Sequence, residues 1–276
     1  MRFGLNTPLS GIFNDLSVLP DMAREAEASG WDGFFVWDHL SIAGVQRLAD
    51  PWMALALIAQ ATDKIRVGPL VTPLYRRHPA KLAFETVTLD HLSNGRLIMG
   101  AGLGSDMFGE ISAFGGPLDD KVRAQMLDEG LAVLIGLWTG EPFYFEGKHY
   151  HLKHAQVSPA CMQVPRIPIW IAASWQRTAP MRRAARYEGM VAVRGDLGLL
   201  SPVQIKEMAV YTQEFRRSDT PFDIVHFGST IGLQPLEARE LIASYAQAGV
   251  TWWIETLPIE ARLDQARRRI RLGPPL

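Results

Sequence analysis

Eight strand-like segments alternate with eight helix-like segments along the whole chain, and this alternation restricts the fold more than any other feature. Strands that alternate with helices form βαβ units and parallel sheets. Eight such units predict an α/β fold of the (β/α)8 TIM barrel class, with a doubly wound open sheet as the alternative. The predicted strands cover residues 2–6, 33–37, 65–71, 96–101, 167–172, 190–193, 224–229 and 251–257. The predicted helices lie near residues 19–29, 51–62, 79–92, 120–139, 178–187, 202–217, 235–248 and 259–271.

One segment, residues 140–166, interrupts the alternation. Its aromatic and apolar residues alternate on either side of Glu146-Gly147-Lys148, which is typical of a β-hairpin with a glycine turn. We expect a hairpin inserted after the fourth helix and lying over one end of the barrel. Because no linker or low-complexity stretch divides the chain, residues 1–276 are predicted to form a single domain.

The composition excludes several functional classes. A formal net charge of −1 gives no electrostatic reason to expect a nucleic acid or an anionic membrane as partner. The longest apolar runs fall far short of the roughly 20 residues of a membrane span. Cys161 is the only cysteine, and the first residues lack the apolar block of a signal peptide. We therefore expect a soluble, cytoplasmic protein.

A glycine-rich loop follows the fourth predicted strand. Gly100, Gly102 and Gly104 let a flat ligand approach the backbone at the strand's carboxyl end, where ligands of parallel sheets bind. The spacing lacks the third glycine of the dinucleotide-binding motif, and no Walker lysine follows. The loop therefore favours a planar cofactor at the barrel mouth over a Rossmann or P-loop nucleotide site.

Asp38 and His39 follow the second predicted strand and are the candidate catalytic pair. A histidine at a strand end can hold or transfer a proton near neutral pH. The alternative is a helix-capping aspartate beside a structural histidine. His149 and His151 have the spacing of metal ligands on one strand face, but no cysteine or acidic cluster accompanies them, so no metal site is predicted.

The exit of the fifth strand is a candidate anion site. Small residues at 172–174 precede a helix that starts near Thr178, and Arg177 could add positive charge. A plain strand-to-helix turn is the alternative. Trp37 and Trp175 lie near strand ends, where their rings could enclose a flat ligand.

In their order and spacing, five segments of the chain resemble the bacterial luciferase-like flavin- and deazaflavin-dependent oxidoreductases. These segments are residues 1–5, 30–39, 50–104, 136–152 and 165–175. The resemblance implies a (β/α)8 barrel that binds FMN or the deazaflavin F420 at the carboxyl ends of its strands. It also implies a homodimer, with the cofactor phosphate near the exits of the fifth and sixth strands.

By their position in the resemblance, Asp38 and His39 correspond to the pair that flanks the reactive ring of the cofactor. Thr72 and Pro73 stand at the third strand exit, where the family has a bulge with a cis peptide, here expected at Thr72–Pro73. The full set of candidate cofactor-binding residues is Thr72, Pro73, Gly102, Leu103, Gly104, Ala172, Ala173, Ser174, Trp175, Arg177 and Arg194.

Two positions depart from the family pattern. Ala172 and Ala173 replace paired glycines, which changes the expected phosphate geometry. Ser105 and Asp106 stand where the deazaflavin enzymes have a glutamate, and Glu110 comes later, so no catalytic acid is assigned there.

The resemblance implies an oxidoreductase with a reduced flavin-type cofactor, F420 being favoured slightly over FMN. The reaction would be hydride transfer to, or monooxygenation of, a small organic substrate. One alternative is a barrel without cofactor that serves as a scaffold or partner subunit. A hydrolase barrel is disfavoured because no acid pair lies at the strand ends.

Overall fold

The computed structural model describes residues 1–42, 44–45, 47–196 and 198–275. Within these residues the strands are β1 (Arg2–Thr7), β2 (Gly33–Val36), β3 (Arg66–Pro69), β4 (Thr72–Pro73), β5 (Met99–Gly102), β6 (Phe143–Glu146), β7 (His151–Ala155), β8 (Ile169–Ser174), β9 (Gly189–Val193), β10 (Asp223–Gly228) and β11 (Trp252–Thr256). The α-helices are α1 (Leu19–Ala28), α2 (Pro51–Ala61), α3 (Pro79–Leu92), α4 (Glu110–Ala113), α5 (Asp120–Trp138), α6 (Thr178–Ala184), α7 (Pro202–Phe215), α8 (Pro235–Gln247) and α9 (Leu263–Arg271).

The strands form a closed parallel barrel. The sheet order is β3-β2-β1-β11-β10-β9-β8-β5-β4. A parallel bridge between Val67 and Leu97 joins β3 to the residues before β5 and so closes the ring. Since β3 and β4 are two parts of the third strand, the barrel has the eight strands and the alternating helices predicted from the sequence, and the open-sheet alternative is excluded.

Two apolar clusters hold the barrel together. One fills its interior and contains large aromatic side chains, among them Phe35, Trp170 and Trp252. The other lies between the strands and the surrounding helices. Val71, Val193 and Phe227 pack against the interior cluster and are only partly buried, so they form an apolar floor beneath the barrel mouth.

The third and fourth strands of the barrel differ from the sequence prediction in their bounds. The third is interrupted after Pro69, and the fourth begins at Met99 rather than Arg96. The buried Arg96 side chain donates hydrogen bonds to the carbonyl oxygens of Ala59, Thr62 and Ile65, at 2.7 to 2.9 Å. Ala59 lies in the last turn of α2, Thr62 follows that helix and Ile65 precedes β3, so Arg96 serves as a clamp between the helix end and the strand.

A hairpin of β6 and β7 occupies part of the segment 140–166. Its turn is fixed to α5, because both carboxylate oxygens of Glu129 accept hydrogen bonds from the backbone N–H groups of residues 148–150. The Phe143 ring lies against Gly136 of the same helix. The hairpin therefore packs along α5, whereas the sequence predicts it over one end of the barrel.

Among the described residues, no helix combines the length and apolar character needed to cross a bilayer.

Candidate active site

The carboxyl ends of β2, β4 and β5 bring together the polar residues of the barrel mouth. Asp38 is almost fully buried. Its carboxylate accepts hydrogen bonds from the Thr72 hydroxyl at 2.7 Å and from Arg77 Nη1 at 2.8 Å. Arg76 Nη2 donates to the Asp38 carbonyl oxygen at 2.7 Å. Asp38 is thus held by neighbouring protein groups on both its side chain and its backbone.

His39 lies beside a glutamate that is distant in sequence. Its Nδ1 is 3.0 Å from Glu110 Oε1, and the other carboxylate oxygen accepts the backbone N–H of Leu40 at 2.9 Å. The His39 side chain is 29% exposed and that of Glu110 only 2%. Trp37 and Phe108 meet the imidazole edge-on, with ring centroids 5.7 Å away. The imidazole is therefore fixed on one nitrogen, and its Nε2 makes no hydrogen bond within the described ranges.

Arg76 joins the two carboxylates electrostatically. Its Nη1 lies 3.4 Å from Asp38 Oδ1 and 3.6 Å from Glu110 Oε2. Burial raises the pKa of Glu110, but the hydrogen bond to His39 and the charge of Arg76 lower it more, so this pKa lies below its usual value. Glu110 is accordingly a carboxylate at neutral pH, and it can orient the imidazole and stabilise its protonated form.

A shallow cradle lies next to this polar group, at Gly102. A Cβ added there would be 3.0 Å from Val71 Cγ2 and 3.2 Å from Ala172 Cβ, so any side chain would fill the space between three strands. Gly104 has a φ of +73°, a conformation that glycine adopts without strain. The small, apolar surfaces of residues 71, 102 and 172 fit one face of a planar ring.

The non-proline cis peptide of this region is Leu70–Val71, and the expectation of a cis bond at Thr72–Pro73 is wrong. The bulge between β3 and β4 turns Val71 towards the barrel interior. Thr72 pairs with Ala101 and directs its hydroxyl to Asp38, while Pro73 pairs with Gly102.

The candidate phosphate residues are distributed unevenly around the exits of β8 and β9. Ala172 and Ser174 are partly exposed, whereas Ala173 is fully buried in the cluster behind the strands. Arg177 is exposed at the start of α6. Arg194 is paired with Asp196 through two hydrogen bonds of 2.9 and 2.6 Å. Leu103 and Trp175 are partly buried against the outer cluster.

Sequence reasoning missed Glu110, Arg76 and Arg77 as members of the site. Glu110 is 71 residues from His39, so no spacing rule connects them. Its signal is an acidic residue amid the apolar neighbours Phe108 and Ile111 in the loop that leaves a glycine-rich strand. Among described residues, no group of three or more histidine, cysteine, aspartate or glutamate side chains could hold a metal ion.

Comparisons with known proteins agree with this architecture. The model of the luciferase-like monooxygenase family matches residues 2–231. An F420-dependent glucose-6-phosphate dehydrogenase of Microbacterium testaceum is 32% identical over 201 residues, which cover 71% of this chain and 57% of that protein. A similar dehydrogenase of Nakamurella multipartita is 32% identical over 65% of this chain and 52% of its own length. The chain therefore spans about half the length of these curated relatives.

An uncharacterized protein of Mycobacterium tuberculosis is 28% identical over 288 residues and is covered to 95%, as is this chain. Among solved structures, the F420-dependent tetrahydromethanopterin reductase of Methanopyrus kandleri has a TM-score of 0.79 at 19% identity, over 98% of this chain and 96% of that one. The monooxygenase RslO1 of Streptomyces bottropensis has a TM-score of 0.75 at 21% identity, over 99% and 97%. These structures share the fold, and the family match covers most of the chain. The chain belongs to the luciferase-like monooxygenase family.

Proposed function

We propose that this protein is an oxidoreductase that uses F420 for hydride transfer to or from a small organic substrate at the barrel mouth. The observation that carries the proposal is the His39–Glu110 pair at the barrel mouth, an imidazole fixed at Nδ1 whose Nε2 makes no hydrogen bond with the described residues. The relatives that are named F420-dependent dehydrogenases support F420 over FMN.

His39 would hold or move a proton at its Nε2. Glu110 binds Nδ1, which leaves Nε2 directed away from the carboxylate because the two nitrogens lie on opposite sides of the ring. When the substrate oxygen gains or loses a proton, the buried carboxylate stabilises the imidazolium that results. His39 is therefore assigned as the general acid or base, and Glu110 as its positioning residue.

Asp38 would act through the backbone that leads to His39. Its contacts with Thr72, Arg76 and Arg77 fix the end of β2, so the imidazole is presented from a rigid strand end. Its carboxylate also keeps the two arginines at the mouth in place.

The cofactor would be held by the apolar surfaces of Val71, Gly102 and Ala172 on one face of its ring. Ser174, Arg177 and Arg194 would receive its phosphate side. When bound, F420 supplies a hydride-accepting or hydride-donating carbon, and the protein contributes orientation and the exclusion of water.

Titration of the purified protein with F420 and, separately, with FMN tests the proposal through quenching of tryptophan fluorescence. We expect F420 to bind and FMN to bind at least tenfold more weakly. A panel of small alcohols, ketones and aldehydes is then tested for F420 reduction or oxidation by absorbance. His39→Asn should abolish turnover and leave the dissociation constant of F420 within about threefold, since His39 is assigned to the proton step.

Tight binding of FMN without binding of F420 would replace the proposal with a flavin monooxygenase. Absence of binding to either cofactor would refute both, and would favour the scaffold or partner-subunit alternative that the Ala172-Ala173 departure raised.

We further propose that the protein is a homodimer that associates through α2 and α3. Met53 on α2 and Phe84 on α3 are 59% and 51% exposed, although both belong to helices that pack against each other and bury most of their apolar residues. Light scattering after gel filtration should give twice the chain mass, and Phe84→Glu should lower it to a monomer. A monomeric wild-type protein would refute this assignment.

A further inference from the structure

An asparagine lies inside the barrel with a side-chain amide that forms no hydrogen bond among the described residues. Asn6 is fully buried, and neither its Oδ1 nor its Nδ2 contacts a donor or acceptor within the part of the chain that the structure describes. A buried amide without partners costs about 1–3 kcal/mol for each unsatisfied group. Such a group is retained where it has a partner in another state of the protein.

The register places Asn6 on the inner face of β1, towards the carboxyl end. It pairs with Phe35 of β2 and Thr256 of β11, and paired residues of parallel strands point to the same face. Phe35 belongs to the cluster that fills the barrel. Gly4, two residues earlier on β1, faces Ile254 and Phe35, which confirms the direction. Asn6 therefore lies on the inner face at the level of Phe35, one residue before the carboxyl end of β1.

Thr256, the partner of Asn6 on β11, carries a hydroxyl on the same face, but it forms no hydrogen bond with the Asn6 amide in the described structure. Val71, Val193 and Phe227 pack on the interior cluster and offer no hydrogen-bonding side chain. The polar group of Asp38, His39 and Glu110 is already internally bonded and does not include Asn6. The Asn6 amide is therefore available to hydrogen-bond with a molecule bound in the barrel.

A carboxamide presents one acceptor and one donor side by side. It matches a group that offers a donor and an acceptor in the same arrangement, such as the N–H and adjacent carbonyl of a cyclic imide. The pyrimidinedione ring of F420 and of FMN carries this edge, whereas a simple ketone, aldehyde or alkane does not.

We propose that Asn6 binds the imide edge of the cofactor ring and thereby selects a pyrimidinedione ring and sets its orientation in the mouth. The proposal rests on the proposed function, since it needs a flavin-type ring. It assigns a recognition role to a residue on β1, on the opposite side of the barrel from β8 in the strand order.

The test compares the affinity of each cofactor with that of its derivative methylated at the imide nitrogen, measured by fluorescence titration without substrate. Wild-type protein should bind the unmethylated cofactor about ten- to a hundredfold more tightly, the range expected for buried hydrogen bonds. Asn6→Leu should bind the unmethylated cofactor more weakly by a similar factor and show no preference between the two forms. Asn6→Asp, which keeps the size and loses the donor, should also bind the unmethylated cofactor more weakly than wild type.

Trp252→Phe is the matched control, because it also removes an unpartnered polar atom from the barrel interior, at the opposite end of the strands. It should retain the wild-type preference. Equal preference in wild type and in Asn6→Leu would overturn the inference while leaving the proposed function intact. If wild type binds neither F420 nor FMN, the proposed function itself fails, and the inference fails with it.

Discussion

The buried histidine His226 makes the free energy of unfolding depend on pH in a range where most carboxylates are already ionised. The imidazole lies on β10, is 2% exposed and has no hydrogen-bond partner for either nitrogen among the described residues. It stacks on Tyr245 of α8, with ring centroids 4.4 Å apart and planes 17° apart. Burial lowers the pKa of His226 to about 4, from an ordinary value of 6.5.

The sign of the effect follows from proton binding. Below pH 6.5 the unfolded chain binds a proton at this histidine, whereas the folded protein remains neutral there until the pH approaches 4. Acidification therefore stabilises the unfolded state relative to the folded one. The loss in the free energy of unfolding should be about 2 kcal/mol between pH 7.5 and pH 5, and about 3 kcal/mol by pH 4.

Urea unfolding at several pH values between 7.5 and 4.5 measures this loss. His226→Phe keeps the stacking on Tyr245 and removes the titration, so it should lose about 2 kcal/mol less than wild type at pH 5. His151→Phe is the matched control, because it replaces a histidine that is 54% exposed on the hairpin. Parallel curves for wild type and His226→Phe would refute the reasoning, since they would mean that the folded protein takes up the proton as readily as the unfolded chain.

Three further substitutions test the site and its scaffold. Glu110→Gln should lower kcat about a hundredfold with little change in cofactor affinity, because the imidazole loses its buried carboxylate. The control Glu146→Gln removes an exposed glutamate–histidine pair of 2.9 Å and should leave kcat unchanged. Equal effects of the two would contradict the assignment. Gly102→Val should fill the cradle and raise the dissociation constant of the cofactor at least tenfold, with circular dichroism close to wild type, and unaltered binding would exclude a ring at this position. Arg96→Met should lower the free energy of unfolding by about 3–5 kcal/mol, since it leaves the carbonyl groups at the end of α2 unpaired. Arg24→Met, on the exposed face of α1, should change this free energy by less than about 0.5 kcal/mol. Similar values for both would show that the clamp does not stabilise the fold.

Apolar periodicity and turn chemistry are local properties, and they predicted the elements well. The helix over residues 79–92 begins and ends where expected, because Pro79 and the turn at Asn94-Gly95 mark both ends within a few residues of chain. The fourth strand was predicted too long at its start. Arg96 satisfies an extended pattern, but its side chain is drawn away to the end of α2, an interaction that involves residues about 30 positions earlier.

The residues of the site likewise include some that local patterns predict and some that they do not. Asp38, His39 and the glycines were selected because residues at the carboxyl ends of parallel strands gather at one edge, and this rule needs only the strand positions. Glu110 and Asn6 escaped it. Glu110 lies beyond the strand, at the start of the short helix α4. Asn6 lies on β1 before its end, where it counted as part of a buried strand.

The sequence by itself determined the fold class, the family and the edge of the barrel where chemistry occurs, because each follows from residues that are neighbours in the chain. Only the tertiary structure decided which carboxylate meets His39, since closing the barrel brings the start of α4, 71 residues away, within 3.0 Å of the imidazole. It also placed the cis peptide at Leu70–Val71 instead of the proline bond, and left the Asn6 amide buried without a partner among the described residues. Hydrogen bonds between distant segments depend on the positions of all eight strands at once, and no local pattern encodes them.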